Sequence, residues 1–176
     1  MPVFGTQMFG SGSTSTSYRY WRFNVTDSYA THGTDPPNEV AVGQVKLFVD
    51  TTQYPTSNMT DNTSPSPLVA SASSQDSAPA YAYQAFNSGG TEWSSQFEEE
   101  FPQWVQVDLG SGNEIAITSY KIKAGEDGKE GNGPKSWTLQ ASNDNSEFDT
   151  LDTQTDVGAW SENQEPVSYT HLTLPT

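Results

Sequence analysis

The chain of 176 residues contains no cysteine. Disulfides, cysteine-ligated metal sites and a cysteine nucleophile are therefore excluded. Histidine is scarce as well, because the sequence has only His32 and His171, far apart in the chain. Neither a Gly-x-Ser-x-Gly motif nor a glycine-rich phosphate loop is present. The 22 acidic residues could form many carboxylate pairs, but none of them lies in a recognisable glycoside hydrolase motif. We therefore expect a protein that is not an enzyme.

Basic residues are also few. The chain has 7 lysines and arginines against 22 aspartates and glutamates, which gives a net charge of −15. A protein this acidic repels phosphate groups, so nucleic acid and anionic membrane surfaces are poor partners. We interpret the charge as a solvated surface that keeps the protein soluble, not as an acidic binding site.

Long apolar runs are missing too. No stretch approaches the ~18 apolar residues that a membrane-spanning helix needs, so no membrane insertion is predicted. The first residues do not combine a basic segment with an apolar one, so no secretory signal peptide is visible. A protein that acts outside a cell without such a signal has to arrive by another route, for example on a virion.

What the sequence does contain is a series of short segments in which apolar and polar residues alternate. Alternation with a period of two indicates half-buried strands, and Gly43 within the second segment indicates a bulge. The segments are residues 20–25, 40–49, 104–109, 115–124 and 137–141.

Turn-forming residues separate these segments at short intervals, and no amphipathic helical pattern appears. A short helical turn is expected within residues 78–86, and residues 50–67 are expected to be a long loop. The pattern predicts an all-β fold, an antiparallel β-sandwich. Its predicted core includes Val105, Val107, Leu109, Ile122, Trp137 and Leu139.

The two ends of the chain do not share this pattern. Residues 1–17 are rich in glycine, serine and threonine and are predicted to be a flexible arm, so the domain covers residues 18–166. Residues 167–176 resemble a translated sequencing-adaptor read-through of the kind found at the ends of metagenomic reading frames. We expect this tail to be non-native and the natural protein to be longer, multidomain or oligomeric. The alternative is an ordinary last strand.

Three motifs lie in register along residues 85–148. The first is Ala-Phe-Asn-Ser-Gly at 85–89 followed by Thr-Glu-Trp at 91–93. The second is Gln-Trp-Val-Gln-Val-Asp-Leu-Gly at 103–110, and the third is the Ser-Asn-Asp turn at 142–144 before the aromatic Phe148. In this order they resemble a discoidin domain, also called the coagulation factor V/VIII type C domain, of the galactose-binding-like superfamily. The aromatic-Arg strand at 20–23, which often closes such domains, comes first here. That order is similar to the arrangement in bacteriophage tail or fibre proteins.

The resemblance implies a jelly-roll β-sandwich that binds a ligand and does not catalyse a reaction. Carbohydrate or a cell-surface glycan is the expected ligand, with a role in cell adhesion. The expected location is a virion, the extracellular space or a cell surface. The alternative is a structural spacer or assembly module of a virion fibre with no sugar ligand.

Family members often hold a structural Ca²⁺ near the Ala-Phe-Asp-Gly turn. Ca²⁺ needs ~6–8 oxygen ligands, and carboxylates supply the charge. Here Asn87 replaces the aspartate of the turn, and Gln44 stands where a glutamate is expected in the 40–49 strand. We therefore expect no metal or other cofactor. A weak Ca²⁺ site made of backbone carbonyls and Asp76 is the alternative.

A sugar site is predicted in the loops that follow Trp93 and precede Trp137, because carbohydrate-binding relatives place ligand contacts there. Trp160 lies in a polar loop and is expected to expose its ring for stacking on a pyranose. The alternatives are a plain glycine-rich turn at 125–133 and simple rim packing for Trp160. The predicted ligand-binding residues are Gln96, Phe97, Lys129, Asn132 and Trp160.

The other four tryptophans are expected to be structural. They match family positions that pack the sandwich, and alternating strand positions of this kind are usually core. The four are Trp21, Trp93, Trp104 and Trp137.

Overall fold

In a computed structural model of the chain, the structure describes residues 16–31, 38–89, 91–125, 130–161 and 167–169. Most of the predicted arm, Lys129, both histidines and residues 170–176 lie outside these ranges. The strands are β1 (Tyr20–Ser28), β2 (Ala41–Val49), β3 (Thr52–Tyr54), β4 (Val69–Ala72), β5 (Trp93–Ser94), β6 (Gln103–Asp108), β7 (Ser119–Ala124), β8 (Pro134–Ser142), β9 (Asp149–Gln154) and β10 (Val167–Tyr169).

The described strands form two sheets. The first has the order β4-β6-β1-β8-β9, and the second has the order β10-β7-β2-β3 with β5 paired to β2. Every pairing is antiparallel. The predicted all-β antiparallel sandwich is confirmed. Within the described residues the helical segments are short 3-10 helices, and no helix is long and apolar enough to cross a membrane.

The core lies between the sheets and follows from the period-two alternation. In β1 the side chains of Trp21, Phe23 and Val25 are buried while their neighbours are partly exposed. Phe23 stands opposite Val105 of β6 and Leu139 of β8, so apolar side chains meet across three adjacent strands. All six residues predicted for the core are buried. Truncating a large core side chain of this kind costs about 3–5 kcal/mol.

Two smaller features were predicted correctly. The register of β2 against β7 shifts between Val42 and Gln44, which is the bulge expected at Gly43. A 3-10 helix, Ala82–Phe86, supplies the helical turn expected within residues 78–86.

Two boundaries were wrong. Residues 50–67 are not entirely loop, because the chain reverses at Asp50, which has a φ of 53°, and β3 returns along β2 with Tyr54 opposite Leu47. The strand predicted at 115–124 begins only at Ser119. Ile115 makes an isolated bridge to Tyr18 instead.

The last described strand is β10, which pairs with the free edge of β7 in the register Val167 to Ile122. This pairing is what the alternative of an ordinary last strand expects. The non-native origin of residues 167–176 stays a prediction, and residues 170–176 lie outside the described part of the chain.

Strand β1 runs the length of the first sheet and defines two ends. At the proximal end, β1 begins at Tyr20 opposite Asp108, the last residue of β6. At the distal end, Ser28 stands opposite Pro134, the first residue of β8. Nine residues at ~3.3 Å each place the two ends about 25–30 Å apart. In the second sheet, β2 begins at the same distal end. The Ser28 hydroxyl at the end of β1 donates to the carbonyl of Glu39, just before β2, at 2.7 Å.

Candidate functional site

The loop that follows β5 lies at the distal end. Ser94 pairs with Ala41 at the start of β2, and the Ser95 amide donates to the Val40 carbonyl at 3.0 Å. Gln96 and Phe97 come directly after this anchor, and both are exposed. Phe97 as a whole residue is 43% exposed. The strand pairing therefore fixes the base of the loop, and the aromatic residue beyond it stays partly exposed.

Asn132 belongs to a second distal loop. It ends the 3-10 helix Glu130–Asn132, one residue before Gly133 and the start of β8. Its Nδ2 donates a hydrogen bond to the carboxylate Oε2 of Glu39. Because the Val40 amide, next to Glu39, donates to the Ser95 hydroxyl at 3.1 Å, Glu39 and Val40 lie between the Asn132 loop and the Ser95 loop.

Glu39 is a feature that the sequence did not reveal. Its side chain is fully buried, although a buried carboxylate needs hydrogen-bond donors to offset the loss of water. The Asn132 amide is one such donor, and the contact fixes the orientation of that amide. A single glutamate ahead of an apolar strand gives no signal of this role, because its partner is 93 residues away in the sequence.

The expectation that Trp160 exposes its ring was wrong. The side chain is 7% exposed and packs against Trp137, with ring centroids 6.3 Å apart. Its Nε1 donates to the Pro134 carbonyl at 2.8 Å, so its polar group is satisfied inside the protein. Gly133 leaves the space for the indole, since a Cβ there would stand 2.3 Å from Trp160 Cδ1. Trp160 therefore closes the distal end of the core and cannot serve as a stacking platform.

The predicted site is thus only partly assembled by the structure. Gln96, Phe97 and Asn132 lie at the distal end, and Trp160 lies there as a core residue. Lys129 lies outside the described residues.

One of the four tryptophans expected in the core is not there. Trp104 is half-buried on the outer face of the first sheet, where the Arg22 guanidinium carbon lies 4.2 Å from its ring centroid. The same carbon lies 3.8 Å from the Phe148 ring centroid, so the guanidinium is held between two rings. Arg22 Nε also donates to Gln106 Oε1 at 3.0 Å. Burial lowers the pKa of Arg22 from its ordinary value.

The sequence of the sandwich matches one family model. The F5/8 type C domain model matches residues 69–174, more than half of the chain. The chain belongs to the F5/8 type C domain family. Domains of this family are generally non-catalytic modules that bind ligands, often carbohydrates. The searches found no matching curated protein and no matching solved structure.

The calcium site that the F5/8 type C family implies does not fit the residues present. Gln44 and Asn87 do meet, but Gln44 Nε2 donates to the Asn87 carbonyl at 3.3 Å. An N–H donor thus occupies the carbonyl that a cation would need. Asn87 Oδ1 accepts the Gly89 amide at 3.0 Å, and Asp76 Oδ1 accepts the Ser77 amide at 2.7 Å. The turn is closed by amides where the family pattern has carboxylates.

Among the described residues of this F5/8 type C domain, no three acidic or histidine side chains come together in a cluster that could hold an ion.

Proposed function

We propose that this F5/8 type C domain is a non-enzymatic carbohydrate-binding module whose ligand contacts lie at the distal end. The observation that carries the proposal is the exposed ring of Phe97. Among the described residues, Val69 and Phe97 are the large hydrophobic side chains that remain exposed, at 40% and 43%. Phe97 is the aromatic one of the two, and an aromatic face stacks on the C–H face of a pyranose.

Polar groups beside the ring would give the site its specificity. Gln96 is the exposed neighbour of Phe97, and its amide can both donate to and accept from sugar hydroxyls. The Asn132 amide is held by Glu39, so less conformational freedom is lost when it meets a ligand. Lys129, outside the described residues, belongs to the same proposed site on the strength of its loop position.

The charge of the protein bears on the class of glycan. With a net charge of −15, the domain repels sialylated and sulfated sugars, so we propose a neutral glycan. A site built on one ring and a few amides binds weakly, with a Kd of about 1 mM to 1 µM, and function would depend on several copies acting together.

A glycan array tests the proposal. The domain, displayed in many copies, should bind neutral glycans, and Phe97→Ala should weaken that binding. Val69→Ala is the matched control, because it truncates the other exposed hydrophobic side chain on β4, at the proximal end. Both variants should keep the melting temperature of the native chain. Equal binding by Phe97→Ala and the native domain would overturn the site, and a folded domain that binds no glycan would favour the structural spacer.

We also propose that the domain belongs to a longer protein on a virion or a cell surface. The support is the order of the strands, because β1 and β2 precede the residues that the family model matches. This order resembles the arrangement in bacteriophage tail or fibre proteins. Labelling of intact particles or cells with an antibody against the sandwich tests this. Labelling that appears only after lysis would contradict it.

A further inference from the structure

A groove of about 210 Å³ opens at the proximal end, between the segment that follows β3 and the segment that precedes β4. It lies at the opposite end of the sandwich from Phe97. Leu109, in its wall, follows the last residue of β6, which pairs with the first residue of β1. The apolar part of its lining consists of Tyr54, Pro55, Pro65, Pro67, Leu68 and Leu109.

The rest of the lining is polar but uncharged. Thr56, Ser57, Ser66 and Asn113 add hydroxyl and amide groups, and none of the described residues that line the groove carries a formal charge. Such a lining favours a neutral ligand that has both an apolar face and hydroxyl groups.

The groove is held in shape before any ligand arrives. Gly110, with a φ of +85°, lets Pro67 approach so closely that a Cβ on the glycine would stand 2.6 Å from Pro67 Cβ. Asn113 Nδ2 donates to the Leu109 carbonyl at 3.1 Å. The Leu68 amide donates to the Pro65 carbonyl at 3.0 Å. The proline rings and these hydrogen bonds limit the conformational freedom of the residues that line the groove. Less conformational entropy is therefore lost when a ligand binds.

We propose that this groove is a second ligand site, which takes a single neutral pyranose ring. Its volume is below the ~300–1,000 Å³ typical of sites for drug-sized ligands, so one ring fits better than an extended chain. The apolar wall would contact the C–H face of the ring, and the hydroxyls and the amide would meet its substituents. Two sites about 25–30 Å apart would let one domain engage two glycan chains, or two points of one chain.

Amide chemical shifts in ¹H–¹⁵N spectra of the full chain test the proposal. The probes are methyl glycosides of glucose, galactose, mannose and N-acetylglucosamine, each at about 10 mM, which exceeds a Kd of about 1 mM. At least one should shift the amides of Ser66, Leu68 and Asn113. Ser57→Trp, which fills the groove from an exposed position, should remove the shifts. Thr60→Trp is the control, because it adds the same ring to an exposed residue outside the lining.

The proposals for the distal site and for the groove can be tested independently. Phe97→Ala should leave the groove shifts unchanged, and Ser57→Trp should leave binding that depends on Phe97 unchanged. Groove amides that respond to none of the four sugars would overturn the proposal, as would shifts that persist in Ser57→Trp. A proline-rich peptide that shifts the same amides when the sugars do not would overturn the assignment to a sugar.

Discussion

Trp160 lies directly against the backbone of Gly133. A Cβ at position 133 would stand 2.3 Å from Cδ1 of the indole and 2.9 Å from its Cγ. The indole is rigid and is held by its hydrogen bond to Pro134, so it cannot give way without leaving its place over Trp137. Gly133→Ala should therefore destabilise the fold by about 1–3 kcal/mol, measured by urea unfolding.

Gly131→Ala is the matched control for this prediction. Gly131 is in the same loop, and a Cβ there would meet nothing within 4 Å. The control should stay within about 0.5 kcal/mol of the native chain. Equal stability of the two variants would mean that Trp160 does not occupy the position described.

Trp160→Ala provides a separate test of burial. Removing a buried indole leaves a cavity beside Trp137, so the free energy of unfolding should fall by about 3–5 kcal/mol. Phe97→Ala is the contrasting variant, since Phe97 is exposed, and its unfolding midpoint should barely change. If Trp160→Ala were as stable as Phe97→Ala, Trp160 would not be a buried core residue.

The tryptophans show how far alternation alone could predict the fold. In β6 the inward positions are Val105 and Val107, so the period of two already puts Trp104 on the other face. Family position suggested the core for Trp104, and the strand's own alternation was the better guide. Trp160 has no such guide, because it follows β9 in an irregular segment among polar residues. Its burial depends on Gly133 and Pro134, which are brought to it only by the tertiary fold.

The distal site, too, could be predicted only in part from the sequence. Family position pointed to the loops after Trp93 and before Trp137, and the strands bring Gln96, Phe97 and Asn132 to one end. Glu39 could not be predicted, because its role rests on a side-chain contact between distant parts of the chain. The proximal groove was missed for the same reason, since residues 54–57, 65–68, 109 and 113 are brought together only when β3 pairs with β2 in one sheet and β4 pairs with β6 in the other.

Calcium should have little effect on this domain. Gln44 Nε2 already donates to the Asn87 carbonyl, so a cation would have to displace an N–H donor. A ligand at 100 times its Kd stabilises by about 2.7 kcal/mol, which a thermal melt resolves readily. Melts in millimolar Ca²⁺ and in EDTA should therefore coincide. A rise of several degrees that EDTA reverses would contradict this prediction.

The paired change Gln44→Glu with Asn87→Asp gives the converse experiment. Two neighbouring carboxylates repel each other, so the double variant should melt below the native chain in EDTA. Because carboxylates are hard oxygen ligands, Ca²⁺ should recover part of the loss.

Arg22→Lys should weaken the outer face of the first sheet. Lysine keeps the charge but lacks the flat guanidinium that lies between Trp104 and Phe148, and it has no Nε to donate to Gln106. We expect a loss of about 1–2 kcal/mol in urea unfolding. Lys121→Arg is the control, because it makes the reverse exchange on the second sheet. Full stability of Arg22→Lys would mean that charge, and not stacking, matters at this position.

Asp144 should make part of the stability depend on pH. Its Oδ1 accepts the backbone amides of Glu147 at 2.9 Å and Ser146 at 2.8 Å, and the Ser142 hydroxyl at 2.9 Å. These hydrogen bonds, that from Glu147 first, hold the pKa of Asp144 below its ordinary value. A depressed carboxyl pKa stabilises the fold fully above the unfolded value of about 3.9, and this contribution is lost as the pH falls through the lower folded value.

Asp144→Asn should therefore melt below the native chain at neutral pH, and the difference should shrink as the pH falls below about 4. Glu99→Gln is the control, because it removes one negative charge from an exposed position of an acidic protein without breaking such a turn. Circular dichroism melts from about pH 7 to about pH 2 measure both variants. A gap between Asp144→Asn and the native chain that stays constant over this range would show that the charge of Asp144 does not stabilise the turn.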